Sequence, residues 1–369
     1  MNDHATLETT MPGPDSAIID HLLGLLWERG GSDLLLTAGS APFLRVDGAL
    51  RPAEGAALTE AEADRLVTGV LGEELTERFR REKEVDFSFS WGAKARLRGN
   101  AFVQRGASAL ALRIIPFDVP SSEQLGLPAT ALGWAGLPRG FVLVTGPTGS
   151  GKSTSLAALL DHVNTHRSVH ILTIEDPIEY LHQHKRSAVS QREVGTDTDS
   201  FPAALRSALR EDPDVLLLGE MRDPESISAA LTIAETGHLV FATLHTNDAA
   251  QTLDRIVDVF PAEQQPQIRL QLAHTLVGIL NQTLIPRTGG GRVAAFEVLV
   301  GTSAIRNLIR EGKTRQIRNM LSTGHRDGMR TLESGINALV ASGTVAYEEA
   351  VLHTAYPEDI QRPPAPAGP

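Results

Sequence analysis

The spacing of apolar positions divides the chain into two kinds of pattern. In the first hundred or so residues, helical and strand periods alternate over short distances. Ile18, Ile19, Leu22, Leu23, Leu26 and Trp27 follow Asp15 and Ser16, either of which can cap a helix, and Gly30-Gly31 ends it. Short strands are predicted over residues 34–37 and 43–46, and Asp47-Gly48 is a tight-turn pair leading into Ala49 and Leu50. Thr59 and Glu62 have the spacing of a capping box ahead of a second helix. Val85, Phe87 and Phe89 then alternate with Asp86, Ser88 and Ser90, as in a strand with one buried face. Strands over 96–104 and 107–115 complete a small α/β domain spanning 15–116, with Gly99 read as an interruption of the first of them.

A proline-rich linker follows, over 117–124, because proline keeps its neighbours out of helix. From Leu125 the strands become continuously apolar (141–144, 170–174, 215–218, 239–244) and alternate with helices. Such strands belong to a mainly parallel sheet covered on both faces. This second domain is expected to run over 125–356. Its last part, from Ala262, reads as mostly helical, including a core or interface helix over 267–280, with one strand at 293–300. The ends, 1–14 and 357–369, are expected to be disordered, since they hold too few apolar residues to offset the entropy of ordering.

Composition narrows the function classes. Cysteine is absent, which removes disulfides, thiolate metal sites and cysteine nucleophiles together and fits a cytoplasmic protein. A formal charge of -11 disfavours a nucleic-acid motor, and no apolar run approaches the ~18 residues that cross a bilayer. The first residues lack the layout of a signal peptide.

Four segments carry chemistry. Gly146-Pro147-Thr148-Gly149-Ser150-Gly151-Lys152-Ser153-Thr154 satisfies the P-loop pattern and sits between a predicted strand and a predicted helix. Its glycines let backbone N–H groups turn toward phosphates at the positive end of a helix dipole, Lys152 is placed to reach the β- and γ-phosphates of ATP, and the Ser153 hydroxyl to ligate Mg2+. The apolar strand over 215–218 delivers Glu220 to its carboxyl edge, as a general base for the water that attacks the γ-phosphate. Gly219 stands where many P-loop enzymes have an aspartate. A third strand ends in Glu175, Asp176 and Glu179, oxygen ligands suited to a Mg2+–water network. A fourth ends at His245, which can donate to the γ-phosphate or sense its loss; His238 lies at the start of the same strand, after a helix bounded by Asp223-Pro224 and Gly237.

In this order, behind an α/β domain, the four segments resemble the Walker A, Asp-box, Walker B and His-box motifs of the hexameric ATPases of type II secretion and type IV pili. The likeness to the pilus retraction ATPases, the PilT family, covers nearly the whole chain. It includes Ala38-Gly39-Ser40, Leu44 to Gly48, Gln191 to Gly195, Ala208 to Asp214, Gly219 to Asp223, Thr236 to Asp248 and a signature over 304–311 tied in that family to retraction. The resemblance implies a RecA-like P-loop domain preceded by a PAS-like α/β domain, and a homohexameric motor. It also implies a membrane platform protein as partner on the inner face of the cytoplasmic membrane, without insertion into it. It implies that arginines of the first domain, Arg98 and Arg113, complete the nucleotide site, with Arg105 and Arg210 as lesser candidates and the linker as a hinge. Leu35 departs from the histidine frequent in the family. The lack of cysteine separates the chain from assembly and secretion ATPases, which usually carry a four-cysteine zinc module. A nucleotide switch without turnover would lack the acid that Glu220 supplies. A DNA translocator would bind DNA in a salt-sensitive way.

Overall fold

The computed structural model describes residues 5–7, 14–92, 94–116, 118–221 and 223–363. The chain forms two compact units, Met1–Asp118 and Val119–Pro369.

The first unit holds strands β1 (Ala5–Leu7), β2 (Asp33–Thr37), β3 (Phe43–Val46), β4 (Ala49–Pro52), β5 (Glu84–Trp91), β6 (Ala95–Gln104) and β7 (Ala107–Pro116), with helices α1 (Pro14–Glu28) and α2 (Glu60–Glu82). They form a sheet in the order β1-β5-β6-β7-β2-β3-β4, antiparallel except for β1 beside β5. Alternation sets which face is buried: Val85, Phe87, Phe89 and Trp91 join Leu97, Leu110, Leu112 and Leu34 in one core with Leu23 and Leu26 of α1 and Leu66, Val67 and Leu71 of α2. The Thr59–Glu62 capping box forms as the spacing predicts. Asp47 and Gly48 both take positive φ (49° and 79°), the requirement of the tightest hairpin turn. Gly99 does not interrupt β6. It pairs in register with Phe87 and Leu112, and a Cβ there would stand 2.3 Å from the Phe87 ring, so the glycine makes room for an aromatic side chain on the next strand.

The second unit contains β8 (Gly140–Thr145), β9 (His170–Glu175), β10 (Ala188–Glu193), β11 (Val215–Leu218), β12 (Leu239–Leu244), β13 (Leu276–Pro286) and β14 (Arg292–Val300). Its helices are α3 (Ala129–Ala135), α4 (Lys152–His166), α5 (Phe201–Ala208), α6 (Pro224–Glu235), α7 (Ala249–Asp258), α8 (Gln265–Thr275), α9 (Ser303–Arg310), α10 (Ile317–Thr323), α11 (Leu332–Ala341) and α12 (Tyr347–Ala350). The sheet order is β10-β9-β11-β12-β8-β13-β14, all parallel except β14 against β13. Successive residues of β8 serve opposite faces. Phe141 and Leu143 pack with residues of α5 to α9, while Val142 and Val144 pack with Trp134 of α3 and Leu156, Leu159 and Val163 of α4. That double burial explains the uninterrupted apolar strands.

Two expectations need correction here. The helix expected over 267–280 ends at Thr275, and the chain continues as β13 alongside β8. Leu272, Leu276, Ile279 and Leu280 keep a helical spacing, which hid the strand. Thr275, Val277 and Ile279 are β-branched, and Gly278 is needed because a Cβ there would stand 2.3 Å from Trp134. The tail expected to be disordered from Pro357 is ordered over its first residues. Ile360 is buried, Arg318 donates to Asp359 at 2.6 Å, and the side chain of Asn337 bonds the backbone of Asp359 and Gln361. The rest of that expectation, 364–369, and most of the one for the N-terminus, 1–4 and 8–13, fall outside the described residues.

Candidate active site

The buried strand β8 ends at Thr145, and the chain turns at once into α4. Gly146, Gly149 and Gly151 take φ of 142°, 77° and 86°, values that side chains resist. Gly146 is required by contact as well, since a Cβ there would stand 2.2 Å from the Gln282 carbonyl oxygen and 2.6 Å from Ser150 Oγ. Lys152 opens α4 and is buried; its Nζ donates to the carbonyls of Gly146 at 2.9 Å and Pro147 at 3.0 Å. The ammonium thus lies across its own loop, on neutral acceptors that a phosphate outcompetes through charge. Burial holds its pKa below the ordinary lysine range, while the carboxylates of Glu220 and Glu179 act in the opposite sense. Ser150 Oγ is buried with no hydrogen-bond partner, a group that a phosphate oxygen would satisfy. Thr148 and Gly149 are exposed, Ser153 and Thr154 half-buried, and Thr154 shares a 3.0 Å hydrogen bond with the Tyr180 hydroxyl.

Glu220 follows β11, two strands from β8, and keeps a quarter (26%) of its side chain exposed. His245, at the end of the intervening β12, places Nε2 3.4 Å from Glu220 Oε2 and Nδ1 3.1 Å from Thr148 Oγ1. Nε2 is thus placed to donate toward Glu220, and Nδ1 shares a hydrogen bond with the Thr148 hydroxyl. One side chain therefore ties the phosphate loop to the proposed base. Gly219 is explained by crowding: a Cβ there would lie 3.2 Å from the Glu175 Cα, and its carbonyl accepts the Thr243 hydroxyl.

His238 stands at the opposite end of β12 from His245, where its Nδ1 lies 3.0 Å from the Ile233 carbonyl and 3.2 Å from the Thr236 hydroxyl. Within this chain it secures the exit of α6 and does not join the carboxyl edge of the sheet.

The three acids after β9 also separate. Glu175 is turned inward: Thr173 donates to it at 2.6 Å, Gln191 at 3.3 Å and the Glu179 N–H at 3.4 Å, and burial pushes its pKa up to about 7. Asp176 and Glu179 are exposed. Among the described residues no group of three His, Cys, Asp or Glu side chains could hold a metal unaided. Magnesium, which keeps its own waters and takes phosphate oxygens, would suit the residues present, and Ser153, Asp176 and Glu179 would be the ones to hold it.

Of the arginines, Arg98 on β6 and Arg113 on β7 are register partners in the first unit, and Arg113 donates to Asp33 at 2.8 Å. Arg105 occupies the β6–β7 turn with φ 51°, and Arg210 donates to the Arg206 carbonyl at 3.0 Å. In the 304–311 signature, Ile305 and Ile309 are buried while Ala304, Asn307, Arg310 and Glu311 face outward. Arg306 donates to the carbonyls of Gly301, His274 and Leu276. Sequence reading missed Asn281 and Gln282, two buried amides of β13, the first bonded to Thr145 at the foot of the loop and the second to Ser150 within it. The only signal for them was a polar pair inside an apolar run.

The family model for "Type II/IV secretion system protein" matches residues 128–352. A type IV pilus retraction ATPase, PilT, of Pseudomonas aeruginosa is 49% identical over 93% of this chain and 99% of its own length. A twitching motility protein of Neisseria gonorrhoeae is 49% identical over 84% of this chain and 83% of its own. Among solved structures, the pilus retraction motor PilT with bound ADP superposes with a TM-score of 0.83 at 45% identity, covering 93% of this chain and 98% of that one.

Proposed function

The chain belongs to the type II/IV secretion ATPase family, in its pilus-retraction branch, and from that premise we propose how its residues drive retraction by hydrolysing ATP. The observation that carries the reading is the contact chain from Thr148 through His245 to Glu220, which joins three adjacent strands at the edge where the P-loop opens.

Lys152 leaves the carbonyls of Gly146 and Pro147 and binds the β- and γ-phosphates, and the loop N–H groups and Ser150 complete the cradle. Magnesium, when bound, neutralises charge that develops between the β- and γ-phosphates. Glu220 orients and polarises the attacking water. His245 holds Glu220 in place and registers departure of the γ-phosphate through Thr148. Arg98 and Arg113 enter as the arginines that answer the γ-phosphate. The working unit is a homohexamer that acts on a platform protein at the inner face of the cytoplasmic membrane. No helix among the described residues is long and apolar enough to cross that membrane.

Deletion in the native host tests the biological direction. Loss of a retraction motor leaves hyperpiliated cells that do not twitch, and complementation with Lys152→Ala fails to restore motility. Bald cells would assign the chain to pilus assembly instead.

A further inference from the structure

Strand β13 runs beside β8, and two of its side chains are buried amides, Asn281 0% exposed and Gln282 1%, set among the buried polar residues Thr145, Ser150, Thr246 and Thr252 at the foot of the phosphate loop. Asn281 Nδ2 donates to Thr145 Oγ1 at 3.0 Å and to the Thr246 carbonyl at 3.1 Å. It therefore spans from the last residue before the phosphate loop to the residue after His245. Gln282 Nε2 donates to the Ser150 carbonyl at 2.5 Å, and the Gln282 backbone carbonyl is the atom that forbids a side chain at Gly146. The loop is therefore held from beneath at both of its ends.

Stability alone does not account for these amides. Asn281 Oδ1 and Gln282 Oε1 are both buried without a hydrogen-bond partner. Each unpartnered oxygen carries the desolvation cost of a buried polar atom. Amides that carry such a cost where they touch the phosphate loop and its foot point to a task at that site. We propose that Asn281 and Gln282 are positioning residues for hydrolysis, a proposal that rests on the ATPase reading of the same site. Gln282 fixes the shape of the phosphate loop, so it acts on nucleotide affinity. Asn281 keeps the His245 segment in register with the loop, so it acts on the chemical step.

The two roles separate in kinetics. Gln282→Met keeps the volume and removes both the donor and the unpartnered oxygen. It is expected to raise KM for ATP and the Kd for ADP about tenfold, with kcat within about twofold of wild type. Asn281→Leu is expected to lower kcat about tenfold with KM nearly unchanged. Thr145→Val, which deletes one Asn281 acceptor without touching β13, should move kcat in the same direction and serves if Asn281→Leu does not fold. Each β13 variant removes an orphaned oxygen but also strands the acceptors of the lost donor, the Ser150 carbonyl for Gln282→Met and Thr145 Oγ1 with the Thr246 carbonyl for Asn281→Leu. Both should therefore melt at or below the wild-type temperature, and their kinetic constants are taken per folded protein. Leu299→Val, on the neighbouring strand, should lower the melting temperature and leave both kinetic constants alone. Wild-type kcat and KM in the two β13 variants would overturn the proposal, as would activity lost only in proportion to lost folded protein. Lys152→Ala, assayed alongside, distinguishes the two failures: if it retains turnover, the ATPase reading itself has failed.

Discussion

Two neighbouring strands, β9 and β11, each deliver a glutamate to the same edge of the sheet, and their surroundings differ sharply. Glu175 is 8% exposed, accepts three hydrogen bonds from its own neighbourhood and keeps its proton up to about pH 7. Glu220 remains partly open to solvent and faces a histidine that also touches the phosphate loop. A carboxylate that must bind a water and later release a product has to be reachable; one saturated by Thr173, Gln191 and a backbone N–H braces the Asp-box turn instead. Position at a strand end is shared by both. Exposure and partner make Glu220 the candidate for chemistry.

The largest expected break between them is in turnover. Glu220→Gln should reduce ATP hydrolysis by roughly 10²–10⁴-fold while leaving nucleotide affinity near wild type, measured by phosphate release and by calorimetric binding. Retained hydrolysis would remove Glu220 from the role of base. His245→Ala should cost about tenfold in kcat, since it removes a positioning contact rather than the base itself, and a loss equal to that of Glu220→Gln would make the histidine the base.

Glu297 sharpens the comparison from the side of stability. It is a second sealed carboxyl, accepting the Ala249 N–H at 2.8 Å, and burial together with Asp248 and Glu333 pushes its pKa up to about 7 while Arg318 opposes them. The folded state holds this proton to about pH 7, whereas the unfolded chain releases it near the ordinary glutamate pKa of 4.5. Stability from this group therefore falls as pH rises between those values, and the cost is complete above about 7. Glu297→Gln keeps the acceptor and removes the titration, so its melting temperature should decline less from pH 5 to pH 8. The difference in stability is on the order of 3 kcal/mol at most. Parallel curves for variant and wild type would contradict the assignment. The smallest effect belongs to Glu175→Gln, expected to stay within about threefold of wild-type turnover; a collapse like that of Glu220→Gln would erase the distinction.

How much of this was legible depended on how local the signal was. The P-loop, the capping box and the Asp223-Pro224 helix start are each written in fewer than ten consecutive residues, and each formed where its spacing predicted. Which end of β12 faces the nucleotide separates His245 from His238, a distinction that needs the sheet direction. Glu175 and Glu220 look equivalent in sequence because Gln191, which bonds Glu175 alongside its near neighbour Thr173, sits on a strand that meets β9 only in three dimensions. The strand β13 was hidden because Leu272, Leu276, Ile279 and Leu280 keep a helical period, and a strand buried on both faces shows no alternation to set against it. Only pairing with β8 resolves the ambiguity. Gly99 misled in the same way, since its reason is the Phe87 ring across the ladder.

Magnesium-dependent phosphate release by the purified protein, set beside that of Lys152→Ala, is the most direct trial of the nucleotide site. Steady release by the wild type and none above background for the variant is the expected result. Release that is absent from the wild type, or equal in the two, would contradict it.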